Sequence, residues 1–233
     1  MKKKYTSEEL AEIFDSFIEQ YRGVISEESI SEIRENFLKG PGNKNPDSFT
    51  LELFEDLGMI PDKVSPHYTF LEELCKSHSL KKNIIEVGGG MIPTLGNLIA
   101  ERQKKIGNGT ITIYDPLLSN AEPKFSNMSL KRKYFTLEED LSNFDLIIGL
   151  APCEGLIQML TAAGKYNLDF FIELCSCEHR VPSSKIKNYK MYVLEYAKYV
   201  CDKFGLGTLK VIPTTKKSLN IEPIIYNKRL IKH

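Results

Sequence analysis

The chain has 233 residues, of which 42% are hydrophobic, and it carries 31 basic and 31 acidic side chains. This length is enough to bury a substantial core and predicts one domain with an appended piece. A net charge of zero gives no general reason to expect a nucleic-acid partner. The five cysteines are odd in number and scattered, the N-terminus lacks an apolar leader, and no apolar run approaches the roughly 18 residues that span a bilayer. The sequence therefore predicts a cytoplasmic protein with reduced thiols and no membrane partner.

The first part of the chain has the pattern of amphipathic helices. The segment TSEELAEIFDSFIEQY places apolar side chains at helical spacing, and Thr6 with Glu9 forms a capping-box signature. Three further helices are predicted at 27–38, 49–57 and 66–78. We therefore expect residues 1–80 to form an N-terminal helical cap, and residues 81–233 to form a second unit that binds a cofactor.

From Asn83 onward, short apolar runs alternate with helical segments. The runs typical of strands are IIEV, TITIY, KRKYF, FDLIIGL, LDFFIEL, TLKVI and EPIIYN, and the helices between them are predicted at 94–105, 153–165 and 189–204. This alternation predicts an α/β fold with a doubly wound, Rossmann-like, mainly parallel sheet. The last two runs are joined by a segment too short for a crossover helix, so we expect an antiparallel C-terminal hairpin. Residues 117–128 are rich in Pro, Ser and Asn, and the helix after the second strand is expected to be short or absent.

Three glycines, Gly88, Gly89 and Gly90, follow the first strand in the stretch NIIEVGGGMIPTLGN. Glycine adopts positive φ and has no Cβ, so such a turn lets a ligand lie against the main chain. Asp115 ends the next predicted strand, where a carboxylate can accept both hydroxyl hydrogens of a ribose. Together the two features predict a cofactor that contains adenosine. The plainer alternative is a tight turn beside an aspartate that only caps the backbone.

Two classes of cofactor compete for this turn. A dinucleotide fold needs the pattern G-x-G-x-x-G/A so that a pyrophosphate can approach the N-terminus of the next helix. Here the third position of that pattern is Pro93, which has no N–H to donate. The other candidate is S-adenosylmethionine, which has no phosphate and carries a sulfonium and an amino acid instead.

The stretch EVGGG, with Glu86 two residues before Gly88, resembles the E/D-x-G-x-G motif I of the class I S-adenosylmethionine-dependent methyltransferases. The resemblance covers about residues 84–227, including the strand order, the acidic residue after the second strand and the closing hairpin. It implies that Glu86 orients the turn and the methionine end of the cofactor, that Gly88 and Gly90 pass under the cofactor, and that Asp115 holds the ribose. The other cofactor contacts predicted on this basis are Gly89, Met91, Ile92, Pro116, Leu137 against the adenine, Ala151 near the sulfonium, and Pro152 as the proline of motif IV.

The ends of the fourth and fifth strands hold the candidate catalytic residues. The fourth is followed by APCEG, which supplies Cys153 and Glu154, the latter as a possible base; the alternative is a buried small side chain and a first-turn helix acid. The fifth ends in CSCEHR, which adds His179. Cys175 and Cys177, with Cys153 and His179, are also conceivable zinc ligands, but C-x-C-x-H is not a standard zinc pattern, and no metal is predicted.

The predicted function is methyl transfer from S-adenosylmethionine to a small molecule or an RNA nucleotide. The acidic bias of residues 1–40 favours a small-molecule acceptor, while the basic bias of residues 180–233 keeps RNA open. Two alternatives remain. The run GGGMIPTLGNLIA resembles the turn of nicotianamine synthases, which transfer the aminobutyrate arm of the same cofactor. The departure from the third glycine also leaves room for a non-catalytic module that binds a nucleotide cofactor or a partner protein.

Overall fold

The computed structural model describes residues 5–22, 25–41, 48–61, 65–119, 122–174, 189–213 and 222–229. Within them the chain forms seven α-helices and one seven-stranded sheet. The helices are α1 (Ser7–Ile18), α2 (Glu27–Leu38), α3 (Ser48–Asp56), α4 (Pro66–Ser77), α5 (Thr94–Ile106), α6 (Leu156–Tyr166) and α7 (Tyr189–Phe204). The strands are β1 (Asn83–Val87), β2 (Thr110–Tyr114), β3 (Met128–Lys131), β4 (Leu146–Gly149), β5 (Asp169–Glu173), β6 (Thr208–Ile212) and β7 (Ile224–Lys228).

The strand order in the sheet is β3-β2-β1-β4-β5-β7-β6. Strands β1 to β5 run parallel, whereas β7 lies antiparallel to both β5 and β6. The order reverses at β1, between β2 and β4, and in doubly wound sheets ligands bind outside the carboxyl ends of the strands at such a switch point. The predicted α/β class, mainly parallel sheet and antiparallel C-terminal hairpin are confirmed.

Helices cover both faces of the sheet because its strands are apolar on both sides. On one face Ile85 and Val87 pack with α6 and α7. On the other face Ile84 packs with α4 and α5, and α4 contributes Phe70, Leu71 and Leu74 to that core. Helix α4, although it precedes the sheet in sequence, is therefore part of the core of the sheet.

A third apolar cluster joins helices α1, α2 and α3. Its centre is aromatic: Phe14, Phe37 and Phe54 are all fully buried, and the rings of Phe37 and Phe54 stack with centroids 4.9 Å apart. Met91 and Ile92, from the loop after β1, are buried in the same cluster. Helices α1–α3 are thus attached to the sheet at the carboxyl end of β1. The N-terminal helices are confirmed, and a domain boundary near residue 80 stays a prediction.

The cap of α1 shows the predicted reciprocal pattern. The Glu9 N–H donates to Thr6 Oγ1 over 3.2 Å, and the Thr6 N–H donates to Glu9 Oε2 over 2.7 Å. Two backbone donors at the helix start are satisfied in this way. The sequence alone places the start of this helix correctly.

The third strand lies earlier in the chain than the sequence suggests. The run KRKYF is wrong as a strand: β3 pairs with β2 from Met128 to Lys131, and the chain leaves the sheet there. The basic residues that follow are exposed, while Phe135 turns back into the core and meets the Tyr114 ring edge-on at 5.5 Å between centroids. Phe135 is apolar because it is buried in the core, and this gives the run KRKYF the pattern of a strand although no strand forms there. The described residues between β2 and β3 contain no helix, as expected.

His78, just after α4, carries a pH dependence of stability. It is half-buried, and its ring meets the rings of Phe171 and Tyr226 edge-on, each at 5.8 Å between centroids. Burial lowers the pKa of His78 from 6.5 to about 4, even though the nearby Asp169 carboxylate opposes the shift. The unfolded chain therefore binds this proton at a higher pH than the folded one, and stability is lost as the pH falls from 6.5 towards 4.

Replacing this imidazole with a ring that does not titrate should flatten the acid side of the stability profile. We expect His78→Phe to match the wild type at pH 7.5 and to exceed it at pH 5 by on the order of 2 kcal/mol in the free energy of unfolding. Urea denaturation at the two pH values measures this. All other groups titrate in both proteins. If the difference in the free energy of unfolding between His78→Phe and the wild type is the same at pH 7.5 and pH 5, the lowered pKa of His78 is wrong.

Candidate functional site at the glycine turn

The turn after β1 requires glycine at two positions for backbone reasons. Gly88 and Gly90 have φ values of 80° and 73°, a region that side chains with a Cβ rarely adopt. A Cβ on Gly88 would also lie only 3.2 Å from Pro152 Cα, in the loop after β4. The Gly88 N–H donates to the Tyr114 carbonyl over 2.9 Å, which ties the turn to the end of β2. The turn is therefore held between the loops that follow β2 and β4.

Asp115 lies directly beside this turn, as the sequence predicts for the acidic residue after β2. Its Oδ2 accepts the Gly90 N–H over 3.0 Å, and its Oδ1 accepts the Leu117 N–H over 2.7 Å. The residue is partly exposed. Each carboxylate oxygen has two lone pairs, so both can accept a further donor from a ligand.

Glu86 lies beneath the turn, on the β1 face that α5 covers. The residue is 2% exposed, and its Oε2 has no hydrogen-bond partner among the described residues. A Cβ on Gly96, in the first turn of α5, would lie 2.8 Å from that oxygen. Burial, with the Asp115 carboxylate adding to it, raises the pKa of Glu86 to about 8. The group is thus largely protonated in the unliganded protein at neutral pH.

A third carboxylate reaches the turn from the N-terminal helices. Glu52 on α3 faces Gly90 so closely that a Cβ on that glycine would overlap Glu52 Oε1 and lie 2.8 Å from Oε2. The Ile92 N–H donates to Glu52 Oε2 over 3.4 Å. Burial raises the pKa of Glu52 well above its usual range, and the carboxylates of Asp115, Glu55 and Glu86 add to that effect.

The sequence gives little sign of Glu52. It sits in LELFED, one of three acidic residues in α3, and an acidic residue in an amphipathic helix is typical of a solvent-facing side chain. The residue that brings it to the site, Gly90, lies 38 positions further along the chain. Only the tertiary packing of α3 on the glycine turn reveals it.

A buried contact between His67 and Glu55 supports the same helix. His67 Nδ1, in the first turn of α4, contacts Glu55 Oε2 on α3. The Glu55 side chain is 2% exposed, and its Oε1 has no hydrogen-bond partner among the described residues. The contact holds α3 against α4, and therefore holds Glu52 in register with the turn.

Met91 and Ile92 follow the three glycines and connect the turn to the N-terminal helices. Their side chains are 7% and 6% exposed and lie in the α1–α3 cluster. The Met91 carbonyl accepts the Tyr21 hydroxyl over 3.0 Å and the Ser119 N–H over 3.2 Å. Because these side chains are buried among the helices, the cofactor contact predicted for Met91 and Ile92 would involve their main-chain atoms.

The loop after β4 is strained at two residues that are not glycine. Ala151 has φ 52° and Cys153 has φ 38°, with the buried Pro152 between them. Such left-handed conformations cost of order 1–3 kcal/mol each and cluster at functional sites. Pro152 is the residue that approaches Gly88, so this loop and the glycine turn form adjoining walls.

The remaining predicted residues are less closely tied to the turn. Pro116 is exposed next to Asp115, and Leu137 is 37% exposed, with its carbonyl accepting the Lys165 ammonium over 3.4 Å. Glu154 lies in a 3-10 turn, Cys153–Gly155, before α6. The candidate catalytic residue His179, and Cys175 and Cys177, lie outside the described residues.

Two classes of site are not found in the part of the chain that the structure describes. No three His, Cys, Asp or Glu side chains there converge to hold a metal ion. None of the described helices is both long enough and apolar enough to cross a membrane.

The burial of Glu86 makes the unliganded protein less stable as the pH rises. Its folded pKa lies above the unfolded value of 4.5, so the unfolded chain loses this proton first, and stability falls between pH 4.5 and about 8. We expect Glu86→Gln to match the wild type near pH 5 and to gain about 3 kcal/mol in the free energy of unfolding by pH 7.5. Denaturant titration across this range tests it. The exposed Glu32→Gln on α2 is the control, and a Glu86→Gln profile parallel to the wild type would show that the carboxyl is not buried.

Comparison with known proteins gives a structural likeness and no sequence match. No protein-family model matches the chain, and no curated protein matches it by sequence. Among solved structures, precorrin-6Y C5,15-methyltransferase from Geobacter metallireducens GS-15 is 12% identical, with a TM-score of 0.40, over 70% of this chain and 86% of that chain. Coclaurine N-methyltransferase bound to N-methylheliamine and SAH is 12% identical, with a TM-score of 0.37, over 73% of this chain and 58% of that chain. A likeness at this identity and TM-score shows neither the family nor the function of the chain.

Proposed function

We propose that this chain transfers a methyl group from S-adenosylmethionine to a small-molecule acceptor. The observation that carries the proposal is the set of three carboxylates, Glu52, Glu86 and Asp115, around a glycine turn at the switch point of a doubly wound sheet. The strand order and the antiparallel β7 are also those that the family resemblance implies.

The charge of the turn favours S-adenosylmethionine over a dinucleotide. A pyrophosphate would bring two negative charges towards Asp115 and would further disfavour ionisation of Glu52 and Glu86, whose pKa values are already raised. None of the three groups would gain a favourable interaction with it. S-adenosylmethionine brings a sulfonium and an ammonium, both positive. Pro93 is the N-cap residue of α5 and supplies no N–H to a phosphate.

The geometry supports the roles that the resemblance implies for the cofactor's adenosine end. Asp115 would accept the ribose hydroxyls with the lone pairs that the Gly90 and Leu117 N–H groups leave open. Gly88 and Gly90 hold the positive φ values that bend the main chain into the turn on which the cofactor would lie, and Pro116 and Leu137 offer exposed apolar surface for the adenine.

The reaction itself is an in-line displacement. An oxygen or nitrogen of the acceptor attacks the methyl carbon, the carbon–sulfur bond breaks, and its electron pair stays on sulfur as a thioether. The acceptor loses a proton, for which Glu154 and His179 are the proposed bases, and Cys153 is the third proposed catalytic residue. Such transfers depend mainly on positioning. The strained turn from Ala151 to Cys153 would supply the fixed wall on which sulfonium and acceptor meet.

A small-molecule acceptor fits the surroundings of the turn better than RNA. Helix α3 brings Glu52 and Glu55 to the site, and their carboxyl groups would oppose the phosphates of a nucleic acid. RNA remains the alternative because of the basic C-terminal segment. Nothing in the described residues favours aminobutyl transfer or a non-catalytic role, and the cytoplasmic location stays a prediction from the sequence.

The by-product identifies the reaction. With S-adenosylmethionine and a library of small amine and hydroxyl acceptors, we expect S-adenosylhomocysteine to accumulate, as measured by liquid chromatography and mass spectrometry. Methylthioadenosine in its place would mean aminobutyl transfer and would contradict the proposal. Absence of cofactor binding at near-millimolar concentration would contradict both forms of transfer.

Asp115→Asn tests the ribose contact. We expect it to weaken S-adenosylmethionine binding by roughly 1–3 kcal/mol, because the amide replaces one charged acceptor with a donor. Isothermal titration calorimetry measures this. The matched control is Asp140→Asn, since Asp140 is an exposed aspartate that also accepts a backbone N–H two residues on, from Ser142. Equal affinity in the Asp115 variant and the wild type would remove this carboxylate from the site.

A further inference from the structure

Glu52 belongs to the N-terminal helices, yet its carboxyl group lies where a ligand would approach the glycine turn. Gly90 has no side chain, and the space in front of its Cα is filled by the two Glu52 oxygens. The hydrogen bond that Glu52 accepts from the Ile92 N–H is long, at 3.4 Å. Glu52 therefore covers Gly90 but receives only a weak hydrogen bond from the turn itself.

Glu52 is surrounded by other acidic side chains. The groups that act on it electrostatically are the carboxylates of Asp115, Glu55 and Glu86. Two of these neighbours have a buried oxygen without a hydrogen-bond partner among the described residues, Glu86 Oε2 and Glu55 Oε1. Burying carboxyl groups without partners is costly, and a cation that binds Glu52 in front of the turn would lower the electrostatic cost of ionising its neighbours.

The arrangement of the ligating side chains indicates which kind of cation these carboxyl groups could bind. In the described part of the chain no three acidic or other ligating side chains converge closely enough to hold a metal ion. An alkylammonium needs no such fixed shell, because its three N–H donors can reach carboxylates and carbonyls at hydrogen-bond distance. S-adenosylmethionine has one such group, at the end of its methionine arm, and its sulfonium has no hydrogen to donate.

The roles proposed for Asp115 and for the loop after β4 would direct this arm towards α3. With the ribose held by Asp115 beyond β2 and the sulfonium against the loop after β4, the methionine arm would cross the turn near Gly90. Helix α3 covers that position through Glu52. We propose that Glu52 accepts a hydrogen bond from the α-ammonium group of the cofactor, so that the N-terminal helices form part of the cofactor site. This inference rests on the proposed function and goes beyond it by assigning a residue outside the sheet.

Two adenosyl ligands separate the ends of the cofactor. S-adenosylhomocysteine carries the α-ammonium, whereas 5′-methylthioadenosine has the adenosine and sulfur but no amino acid. By calorimetry we expect Glu52→Gln to bind S-adenosylmethionine and S-adenosylhomocysteine about ten- to a hundredfold more weakly than the wild type, as for a lost charged hydrogen bond. Binding of methylthioadenosine should change less than twofold. Asp115→Asn, in contrast, should weaken all three ligands.

The controls distinguish this inference from the function on which it rests. Asp56→Asn changes an exposed carboxylate on the same helix and should leave all three affinities unchanged. Thermal melting verifies that Glu52→Gln is folded, and Glu52→Ala is a second variant with the same expected loss.

If the wild type binds none of the ligands, the proposed function fails. If it binds all three and both Glu52 variants bind S-adenosylmethionine within twofold of the wild type, the ammonium role is wrong while the cofactor site stands. An equal loss for methylthioadenosine would also overturn it, because Glu52 would then act through the shape of the turn.

Discussion

The structure depends on one constraint, the sharp turn that the chain makes as it leaves β1. Gly90 donates its N–H to Asp115, Gly88 lies against Pro152, and Met91 and Ile92 enter the core of α1–α3. Each of these contacts fixes a different part of the molecule relative to the turn: the loop after β2, the loop after β4, and the N-terminal helices. A residue with a side chain at Gly88 or Gly90 would disturb all of them together.

The buried carboxyl groups at this turn lower the stability of the folded protein, and the same groups would attract a positively charged ligand. Glu86 is buried and Glu52 is half-buried, and this burial makes their ionised forms costly. A positively charged ligand would recover part of that cost, and binding only to the folded state would stabilise the fold by mass action. Sites of this kind are expected to be less stable than their surroundings until they are filled.

Local signals in the sequence were sufficient for most of the fold. The Thr6 and Glu9 cap, the alternation of strands and helices, and the short link before β7 all act between residues close in sequence, and the structure agrees with them. The glycine turn and Asp115 were predicted to hold the same cofactor, and the hydrogen bond between the Gly90 N–H and Asp115 shows that the two lie side by side. Two features depend on distant packing and were not predictable: the burial of Phe135, which mimics a strand, and the approach of Glu52, whose own helix gives no sign of a ligand.

The hydrogen bonds at the turn join residues far apart in sequence, and this affects the stage of folding at which the turn is completed. Gly90 and Asp115 are 25 residues apart, Glu52 and Ile92 are 40 apart, and Tyr21 and Met91 are 70 apart. Closing such long loops costs conformational entropy before any contact compensates for it. No short contiguous fragment of the chain contains all three carboxylates, so the helices made first during synthesis must wait for β1 and β2 before their aromatic cluster gains Met91 and Ile92. The three carboxyl groups therefore come together only after β1, β2 and α3 have packed against one another, and a chain that has folded only in part lacks the proposed site.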